Sequence, residues 1–425
     1  MKTVAFETVG CRLNQYETEK IAAQLTASGL KRVDSNDDAD LYIINTCTVT
    51  GRAGATCRNI ISRTARRDTP AVLVVIGCYV DLEPEMIARM DGVDLVIPNP
   101  DKDRVLVILR ERYPYLFDGA PMIPTPTGID EFHQHNRAWI KISDGCNQRC
   151  AYCIIPAVRG PLTNRPVDEI INEINMLVAH GYHEVVLTGV HIGKYTYDDI
   201  HSPAALVQAI LEKTTLPRVR LSSIEPQEVD DDLIAVMKAG GKRVCRHLHI
   251  PLQSGSDRIL RRMRRPYDRQ RYFDLVRRAR ERIEYLVVGA DIIVGFPGET
   301  DADFADSVAA AESGLLDYLH VFSYSDRPGT DASSFPNKVR PDDIKNRNKI
   351  LRDISKKQYA RALRQAVGST VGVISEHRAD DSNQYWGITD NYLKVLLPSG
   401  SGGGREILTM QVTGAETSYL VGKLI

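Results

Sequence analysis

Apolar runs of strand length alternate with polar, helix-like stretches over the first hundred residues. The runs are TVAFETVGC, LYIINTC and AVLVVIGC, and each is followed by residues with helical spacing of apolar positions. The helical stretches lie approximately at Glu17 to Ser28, Ala53 to Arg66 and Glu83 to Met90. A βαβαβα order is most simply satisfied by a parallel sheet. The pattern therefore predicts an amino-terminal parallel βαβ-type domain over residues 1–115.

The same alternation resumes after the proline-rich passage APMIPTPTGIDEFHQHN. Strand candidates are AWIKIS, EVVLTG, RVRLSS, LHIPLQ, VGADIIVGF and LHVFSYS. The clearest intervening helix is PVDEIINEINMLVAHG, because Pro166 stands at its start and Gly181 follows its end. Six such units predict a partial (β/α)6 barrel over residues 134–366, an incomplete version of the eight-unit barrel.

The last part of the chain has a different pattern of apolar and polar residues. A charged helix from about Pro341 to Ala366 leads into residues 367–425, where short apolar runs are separated by turn signals such as DDSN and PSGSGGG. This tail predicts a small β-barrel or sheet. The fold class is therefore α/β with three domains, within the range expected for 425 residues at about 150 residues per domain.

Composition indicates the cellular location of the protein and the role of its cysteines. Glu7 interrupts what would be the apolar core of an export signal, and no run of 18 apolar residues occurs, so we expect a cytoplasmic protein with no membrane partner. The net charge of -1 means that any charged partner must be met by local patches. Eight cysteines in such a protein indicate metal or redox thiolates, not disulfides.

Six of those cysteines form two groups of three. Cys146, Cys150 and Cys153 are spaced C-x3-C-x2-C, with no fourth cysteine or histidine close behind. Cys11, Cys47 and Cys78 each end one of the three predicted strands, and the carboxyl ends of parallel strands lie at one edge of a sheet. We therefore expect a second triad there. Cys57 and Cys245 lack partners at such spacing and are expected to be structural or incidental.

Three ligands suit an iron-sulfur cubane with one open iron better than they suit zinc. Structural zinc prefers four closed ligands, whereas a cubane with three thiolates leaves one iron free for a substrate. A zinc site completed by His133 or His135 is an alternative. Packing cysteines are a second alternative, disfavoured because DGCNQRCAYC is polar and contains glycine.

The spacing around Tyr152, C-x3-C followed by C-x-aromatic-C, resembles the signature of the radical S-adenosylmethionine superfamily. The stretches GCRLNQYE, NTCTVT, GCY, DGCNQRCAYCIIPAVRG, IPLQSGSDRILRRMRRPY and GFPGET together resemble the methylthiotransferases along nearly the whole chain. Within that family the chain is most similar to the branch that acts on N6-threonylcarbamoyladenosine in tRNA.

This resemblance implies two 4Fe-4S clusters, S-adenosylmethionine, and a carboxyl-terminal TRAM domain. One cluster would be held by Cys146, Cys150 and Cys153 and would bind S-adenosylmethionine at its open iron. The other would be held by Cys11, Cys47 and Cys78 and would hold or donate sulfur. The implied reaction uses a 5'-deoxyadenosyl radical to insert sulfur, then methylated, at C2 of a modified adenosine beside the anticodon. It needs an electron donor such as a flavodoxin-like reductant.

Other candidate cofactor-binding residues are less specific. Tyr152 is expected to pack near the adenine by resemblance, and Gly189 ends a strand where backbone could approach a ligand or simply turn. Polar residues at the ends of other strands could face the barrel mouth, where such folds place their sites. These are Glu225, Gln253, Ser254 and Asp291. His247 and His249 share one face of a strand and are either inward-facing site residues or packing residues.

Local charge favours RNA as the partner. Eleven arginines and few carboxylates lie between Arg258 and Arg282, and the stretch from Arg52 to Arg67 adds five arginines without an acid. The tail from Gly368 is slightly acidic, with four Lys or Arg against six Asp or Glu, which suits RNA less well. Alternatives are therefore methylthiolation of an aspartate in a ribosomal protein, action on isopentenyladenosine in tRNA, or an iron-sulfur RNA-binding protein without turnover.

Overall fold

Five parallel strands form the first sheet in the computed structural model, which describes residues 1–67, 70–118, 128–133, 135–379 and 383–425. Their order is β2 (Lys31–Arg32), β1 (Thr3–Thr8), β3 (Leu41–Thr46), β4 (Val72–Gly77) and β5 (Leu95–Ile97). Every residue of β3 and β4 is buried, because separate hydrophobic clusters cover the two faces of the sheet. Alternate residues of each strand pack into opposite clusters.

The helices of this sheet are α1 (Arg12–Ala27), α2 (Gly51–Ala65), α3 (Cys78–Leu82), α4 (Pro84–Ala88) and α5 (Val105–Arg112). Two differ from the sequence-based expectation. The first begins at Arg12, directly after Cys11, because Leu13 and Tyr16 already belong to its buried face. The helix expected from Glu83 to Met90 is α4, and the separate short helix α3 precedes it, since Pro84 has no N–H with which to continue α3. The strands β2 and β5 were not predicted.

Six parallel strands form the second unit, as the alternation predicted. They are β6 (Ala138–Asp144), β8 (Glu184–Gly189), β9 (Arg218–Leu221), β10 (His247–His249), β11 (Val287–Val294) and β12 (Tyr318–Ser323). Isolated parallel bridges join β9 to β10, and β7 (Thr163–Asn164) adds an antiparallel edge to β6. Within the described residues β12 pairs only with β11, so the barrel is partial.

Helices follow these strands along the chain. They are α6 (Ile155–Arg159), α7 (Val167–Ala179), α8 (Pro203–Lys213), α9 (Asp231–Ala239), α10 (Asp257–Arg262), α11 (Arg269–Arg282), α12 (Asp301–Glu312) and α13 (Pro341–Gln365). Their starts follow capping chemistry: Ser202, Asp230 and Asp268 each accept a backbone N–H, and Thr300 forms a capping box with Asp303.

The tail closes into the small β-barrel that its pattern predicted. Its strands are β13 (Thr370–Arg378), β14 (Tyr385–Thr389), β15 (Lys394–Leu397), β16 (Ile407–Ala415) and β17 (Leu420–Leu424), joined in the order β13-β14-β15-β17-β16. The proline-rich passage at 119–127, residue 134 and residues 380–382, where the sequence predicts a turn, lie outside the described residues. None of the helices in the described ranges has the length and apolar character needed to cross a membrane.

A buried carboxylate ties the partial barrel to the tail. Glu184 has no exposed side-chain area and accepts hydrogen bonds from Arg137, Arg218 and Arg220. Arg218 also donates to the Gly372 carbonyl at 2.9 Å, and Arg220 donates to the Thr389 and Asp390 carbonyls at 2.9 and 3.0 Å. Burial would raise the pKa of Glu184, but the three guanidiniums hold it well below its usual range.

Candidate functional site

Cys11, Cys47 and Cys78 lie together at the carboxyl edge of the first sheet, where the strand-end pattern predicted them. Cys11 directly precedes α1, Cys47 follows β3, and Cys78 begins α3 directly after β4. Burial raises the pKa of Cys47 to about 12, with further increases from the neighbouring sulfurs of Cys11 and Cys78. Thiolates at all three positions would therefore repel one another, and a cation bound between them would offset that repulsion.

Glycine is required beside two of these cysteines. Gly10 and Gly77 have φ values of +111° and +100°, in the region that favours glycine. A methyl group built on Gly10 would lie 2.6 Å from Cβ of Cys47, and one on Gly77 would lie 2.5 Å from the Thr46 carbonyl oxygen. The Gly-Cys pairs therefore let the chain turn off each strand and present the following cysteine at the sheet edge.

The sulfur of Cys78 receives N–H donors from two other segments. Arg159 donates from Nε at 3.2 Å, and Asn99 donates from Nδ2 at 3.6 Å. Arg159 itself is buried and donates to Glu17 and Asp144 at 3.0 and 2.9 Å, and to Oδ1 of Asn14 at 2.6 Å. Donors of this kind stabilise a thiolate and orient a ligand.

Cys146, Cys150 and Cys153 lie in the loop between β6 and α6. Arg265 donates from Nη1 to the Cys150 sulfur at 3.1 Å, and it also pairs with Glu225. His191 Nδ1 lies 3.5 Å from the Cys146 sulfur, while its Nε2 is 2.6 Å from Glu228. Each triad thus has a buried arginine that donates to one of its sulfurs.

The pKa values within this loop differ because the surroundings differ. Burial alone would raise the pKa of Cys146, but hydrogen bonds from His191 and from the Gln148 amide bring it below its ordinary value. Burial raises the pKa of Cys153 to about 12, and the other two sulfurs add to the rise. A bound metal cluster would supply the positive charge that ionisation of Cys153 needs.

A zinc site completed by histidine does not fit these positions. His135 packs edge-on against Trp139, with ring centroids 4.4 Å apart, and the amide of His133 donates to Glu19. In the described ranges, no three cysteine sulfurs lie within 4.8 Å of one another as ligands of a single ion would. The wider spacing is compatible with ligands at separate corners of a cluster.

A cavity of about 220 Å³ lies beside the cysteine loop of the barrel. Its walls include Tyr152, Cys153, Gln253 and Asp291 from the barrel. Val49 and Thr50, which follow Cys47, form another wall. Side chains from the end of β12 complete it, including Phe322, which is 43% exposed. The cavity is therefore open to ligands and is bordered by residues adjoining both triads.

The five candidate cofactor-binding residues fall into two groups. Tyr152, Gln253 and Asp291 line the cavity, and Tyr152 packs against Phe296 with ring centroids 6.5 Å apart. Glu225 lies behind the cysteine loop as the partner of Arg265. Gly189 packs against β6, since a methyl group there would lie 2.3 Å from Oγ of Ser143. The close approach at Gly189 is thus between two strands.

The two strand histidines differ in their contacts. His249 Nε2 lies 2.8 Å from Asp291, which His320 also approaches at 3.4 Å. His247 stacks on Tyr392 of the tail, with ring centroids 4.4 Å apart. Burial would raise the pKa of Asp291, but the two histidines hold it well below its usual range. His249 therefore adjoins the cavity wall, whereas His247 packs at the junction with the tail.

Four residues in these networks were not expected from the sequence: Arg159, His191, Glu228 and Arg265. Arg159 and Arg265 stand within the stretches DGCNQRCAYCIIPAVRG and RRMRRPY, yet no spacing distinguishes them from neighbouring arginines. His191 comes two residues after the end of β8, so strand-end position is the one signal that points to it. Cys57 and Cys245 are buried; Cys57 donates to the Cys47 carbonyl, and Cys245 lies beside Glu184.

The arginine-rich stretch is largely neutralised, which corrects the argument that its charge is hard to balance within the chain. In the described part of the chain, only Arg261 and Arg262 of its eleven arginines lack a carboxylate within 4.0 Å. Arg278 and Arg282 share Asp231, for example, and Arg280 pairs with Asp317. The local positive field is therefore weaker than the sequence indicated.

Comparison with known proteins agrees with the geometry. The model of the radical SAM superfamily matches residues 140–311, and that of the uncharacterized protein family UPF0004 matches residues 3–98. The threonylcarbamoyladenosine tRNA methylthiotransferase of Bacillus subtilis is 35% identical over 440 positions, covering 100% of this chain and 97% of the relative. The tRNA-2-methylthio-N(6)-dimethylallyladenosine synthase of Thermus thermophilus is 31% identical, covering 98% and 90%.

A solved structure supports the fold alone. The radical S-adenosylmethionine methyltransferase TsrM from Kitasatospora setae superposes with a TM-score of 0.58 at 17% identity, covering 78% of this chain and 77% of that one. The partial barrel, the cysteine loop and the full-length relatives lead to one assignment. The chain is an enzyme of the radical S-adenosylmethionine methylthiotransferase family.

Proposed function

We propose that this enzyme modifies tRNA by adding sulfur and a methyl group at C2 of N6-threonylcarbamoyladenosine next to the anticodon. The observation that carries the proposal is one cavity lined by Tyr152 and Cys153 of the barrel loop and by Val49 and Thr50, which follow Cys47 in the first unit. Sulfur insertion needs a sulfur source beside the reacting carbon, and this arrangement provides room for it. The name of the Bacillus subtilis relative supports the choice of base.

The donor sets support the proposed cluster ligands. Membership of the radical S-adenosylmethionine superfamily implies S-adenosylmethionine and a 4Fe-4S cluster, which Cys146, Cys150 and Cys153 would hold. Together, this cluster and S-adenosylmethionine would supply radical chemistry able to act on an unactivated carbon. We assign a second 4Fe-4S cluster to Cys11, Cys47 and Cys78, where it would supply sulfur. A flavodoxin-like reductant is the proposed electron donor.

The side chains of this chain have binding and orienting roles in the proposed reaction. Tyr152, Gln253 and Asp291 would contact S-adenosylmethionine or substrate across the cavity. Glu225 would act by holding Arg265 against Cys150, and Gly189 by letting β6 and β8 approach beside the loop. Phe322 offers an exposed aromatic face on which an unpaired base can stack.

The proposed domain organisation follows the architecture. Residues 1–115 would form the methylthiotransferase amino-terminal domain, 134–366 the radical S-adenosylmethionine core and 367–425 the TRAM domain. The tail barrel would contact RNA through surfaces other than its face against the partial barrel, since Arg218 and Arg220 already occupy that face. A tRNA substrate would place the activity in the cytoplasm.

The test is anoxic reconstitution with reductant, S-adenosylmethionine and one substrate at a time, followed by mass spectrometry of substrate and cofactor products. The substrates are tRNA carrying N6-threonylcarbamoyladenosine, tRNA carrying isopentenyladenosine, and ribosomal protein. The proposal expects 5'-deoxyadenosine and a methylthio mass increase with the first substrate. Preferential reaction of the second would support the activity in the name of the Thermus thermophilus relative, and a mass increase in ribosomal protein alone would contradict tRNA as substrate.

Two controls separate catalysis from simple binding. Cys146→Ala should abolish 5'-deoxyadenosine formation, whereas Cys245→Ala should leave it intact because Cys245 lies beside Glu184 at the junction with the tail. An RNA-binding protein without turnover would bind tRNA in every variant and form no 5'-deoxyadenosine in any. That result would overturn the proposed activity.

A further inference from the structure

Three side chains with metal-binding atoms meet on the partial barrel, and none of them is a cysteine. They are His249 of β10, Asp291 of β11 and His320 of β12, three neighbouring strands of one sheet. Each offers one ligand atom, and the three atoms lie within 4.8 Å of one another. Among the described residues, no other three histidine, cysteine or acidic side chains come so close. The fold thus gathers two imidazoles and one carboxylate at one point.

The separations between the ligand atoms suit a single ion. Oδ1 of Asp291 lies 2.8 Å from Nε2 of His249 and 3.4 Å from Nδ1 of His320. Ligands about 2.0–2.2 Å from a metal, at octahedral or tetrahedral angles, are about 3.0–3.4 Å apart. The contact of 2.8 Å is also that of a direct hydrogen bond. The competing interpretation is therefore an ion pair of His249 with Asp291 that needs no metal.

The ring of His249 is held through its other nitrogen. Nδ1 lies 3.1 Å from the hydroxyl of Tyr318, which is itself 2.8 Å from Nε2 of His247. Burial lowers the pKa of His247, so this ring is neutral and can accept from the hydroxyl. Tyr318 then accepts from Nδ1 of His249, whose Nε2 faces Asp291 with a lone pair, and a cation between the two removes their repulsion. Histidines that bind metals nearly always have such an outer partner.

The three ligand atoms can be reached from solvent. The side chain of His320 is 53% exposed and that of Asp291 is 20% exposed. Asp291 lines the cavity beside the cysteine loop. His320 lines a second cavity of about 360 Å³, whose walls also include Tyr392 and Lys394 of the tail. An ion held by these residues would therefore have open positions facing space that a bound molecule can occupy.

We propose that His249, Asp291 and His320 bind one divalent transition-metal ion. Two imidazoles and one carboxylate, with further positions open, form a ligand set that takes iron(II), zinc or manganese. This site goes beyond the proposed function, because methylthiolation by two clusters assigns no ion to these strands. Oxygen or nitrogen atoms of a bound molecule would complete the coordination. Asp291 would then act on that molecule through the ion.

The test titrates Mn²⁺ into the full-length protein with its clusters reconstituted and oxidised under anoxia, after gel filtration to remove loosely bound metal. Mn²⁺ is the probe because it prefers oxygen and nitrogen ligands to thiolates. Oxidised 4Fe-4S clusters are diamagnetic, so electron paramagnetic resonance reports the added ion alone. We expect one Mn²⁺ per chain, with spin-echo modulation from imidazole nitrogen.

Variants identify the ligands of that ion. His320→Ala and Asp291→Asn should each weaken Mn²⁺ binding by more than about a hundredfold, which exceeds the usual effect of losing an outer partner. His180→Ala removes an exposed histidine at the end of α7 and should bind Mn²⁺ as the wild type does. Iron content after gel filtration checks that each variant has kept its clusters.

Unchanged affinity for Mn²⁺ in His320→Ala would overturn the assignment. Bound Mn²⁺ without nitrogen coupling would also overturn it, since exposed carboxylates alone would hold the ion in that case. Absence of saturable binding by the wild type would favour the direct ion pair of His249 with Asp291. If Asp291→Asn loses its iron, His320→Ala decides, because its half-exposed ring can be removed without opening the core. Failure of the proposed function is recognised separately, by the absence of methylthio product while Mn²⁺ still binds.

Discussion

Arg159, at the end of a barrel helix, donates from Nε to the sulfur of Cys78 at 3.2 Å. Its other nitrogens donate to Asp144 of the barrel and to Asn14 and Glu17 of the first unit. Lys102 and Lys141 also pair with Glu17, at 2.7 and 3.2 Å. A single guanidinium thus sets the position of an amino-terminal cysteine relative to the loop that holds the other triad.

Replacing Arg159 should loosen that connection. Arg159→Met leaves Asp144 and the Cys78 sulfur without this donor, while the two lysines still compensate Glu17, so we expect a loss of about 2 kcal/mol in the free energy of unfolding. The measurement is urea unfolding of the cluster-loaded protein, with iron retention after chelator treatment. Arg149→Met, at an exposed arginine of the cysteine loop, is the control. Equal behaviour of the two variants would contradict the role of Arg159.

Iron content should report the two triads independently. We expect about eight irons per chain after reconstitution, falling by about half when Cys146, Cys150 and Cys153 become Ala, and by about half when Cys11, Cys47 and Cys78 do. Elemental analysis with a sulfide assay is the measurement. Cys245→Ala should keep the full amount, because its sulfur lies beside Glu184. A wild-type value near four would leave no iron for a second cluster.

Arg265 should tune the reduction potential of the cluster in the barrel loop. Its Nη1 donates to the Cys150 sulfur at 3.1 Å, and such a donor favours the more negative, reduced state. Arg265→Lys keeps the charge beside Glu225 but removes the planar group that donates to Cys150 and Glu225 at the same time. A lost charge-assisted hydrogen bond of about 1.5 kcal/mol corresponds to a potential about 60 mV lower for one electron.

The measurement for Arg265 is a redox titration followed by electron paramagnetic resonance. Arg264→Lys is the matched control, because that neighbouring side chain pairs with Asp331 at the surface. A potential that stays within experimental error in Arg265→Lys would show that the contact with Cys150 has no electronic effect.

The free energy of unfolding should depend on pH through the protonation of Glu184. Its folded-state pKa is depressed, so its contribution is present in full above the unfolded value of about 4.3 and is lost as the pH falls below it. Glu184→Gln leaves three buried arginines undercompensated and should cost about 3–5 kcal/mol at neutral pH. The difference from wild type should shrink in acid. Urea unfolding across that pH range measures it, with exposed Glu281→Gln as control.

RNA affinity should depend more on α2 than on the arginine-rich stretch. Arg52 and Arg66 are exposed and have no carboxylate within 4.0 Å among the described residues, whereas Arg277 pairs with Asp274 at 2.7 Å. Arg52→Gln and Arg66→Gln should each weaken tRNA binding and lower the slope of log affinity against log salt by about one. Arg277→Gln should change little. Filter binding between about 50 and 200 mM salt is the measurement, and the opposite ranking would contradict this assignment.

Local patterns predicted the elements, and the strand-end rule placed the second triad. Cys11, Cys47 and Cys78 could be grouped because parallel strands share a carboxyl edge, which follows from alternation alone. The partners of their sulfurs could not be found this way, since Arg159 and Arg265 reach across long sequence separations. The positive charge of the arginine-rich stretch was overestimated from the sequence for a similar reason. Asp231, Asp303 and Asp317, which neutralise part of it, come from other helices and loops.

The contacts of Arg218 and Arg220 with the tail also concern the order in which the chain is made. Gly372, Thr389 and Asp390, whose carbonyls accept from these arginines, leave the ribosome more than a hundred and fifty residues after them. At about 5–20 residues per second, that interval lasts on the order of ten seconds. During that interval, the N–H groups of these arginines that later donate to the tail must donate to water instead. The contact between the partial barrel and the tail therefore forms late in synthesis, and Glu184 becomes fully buried only then.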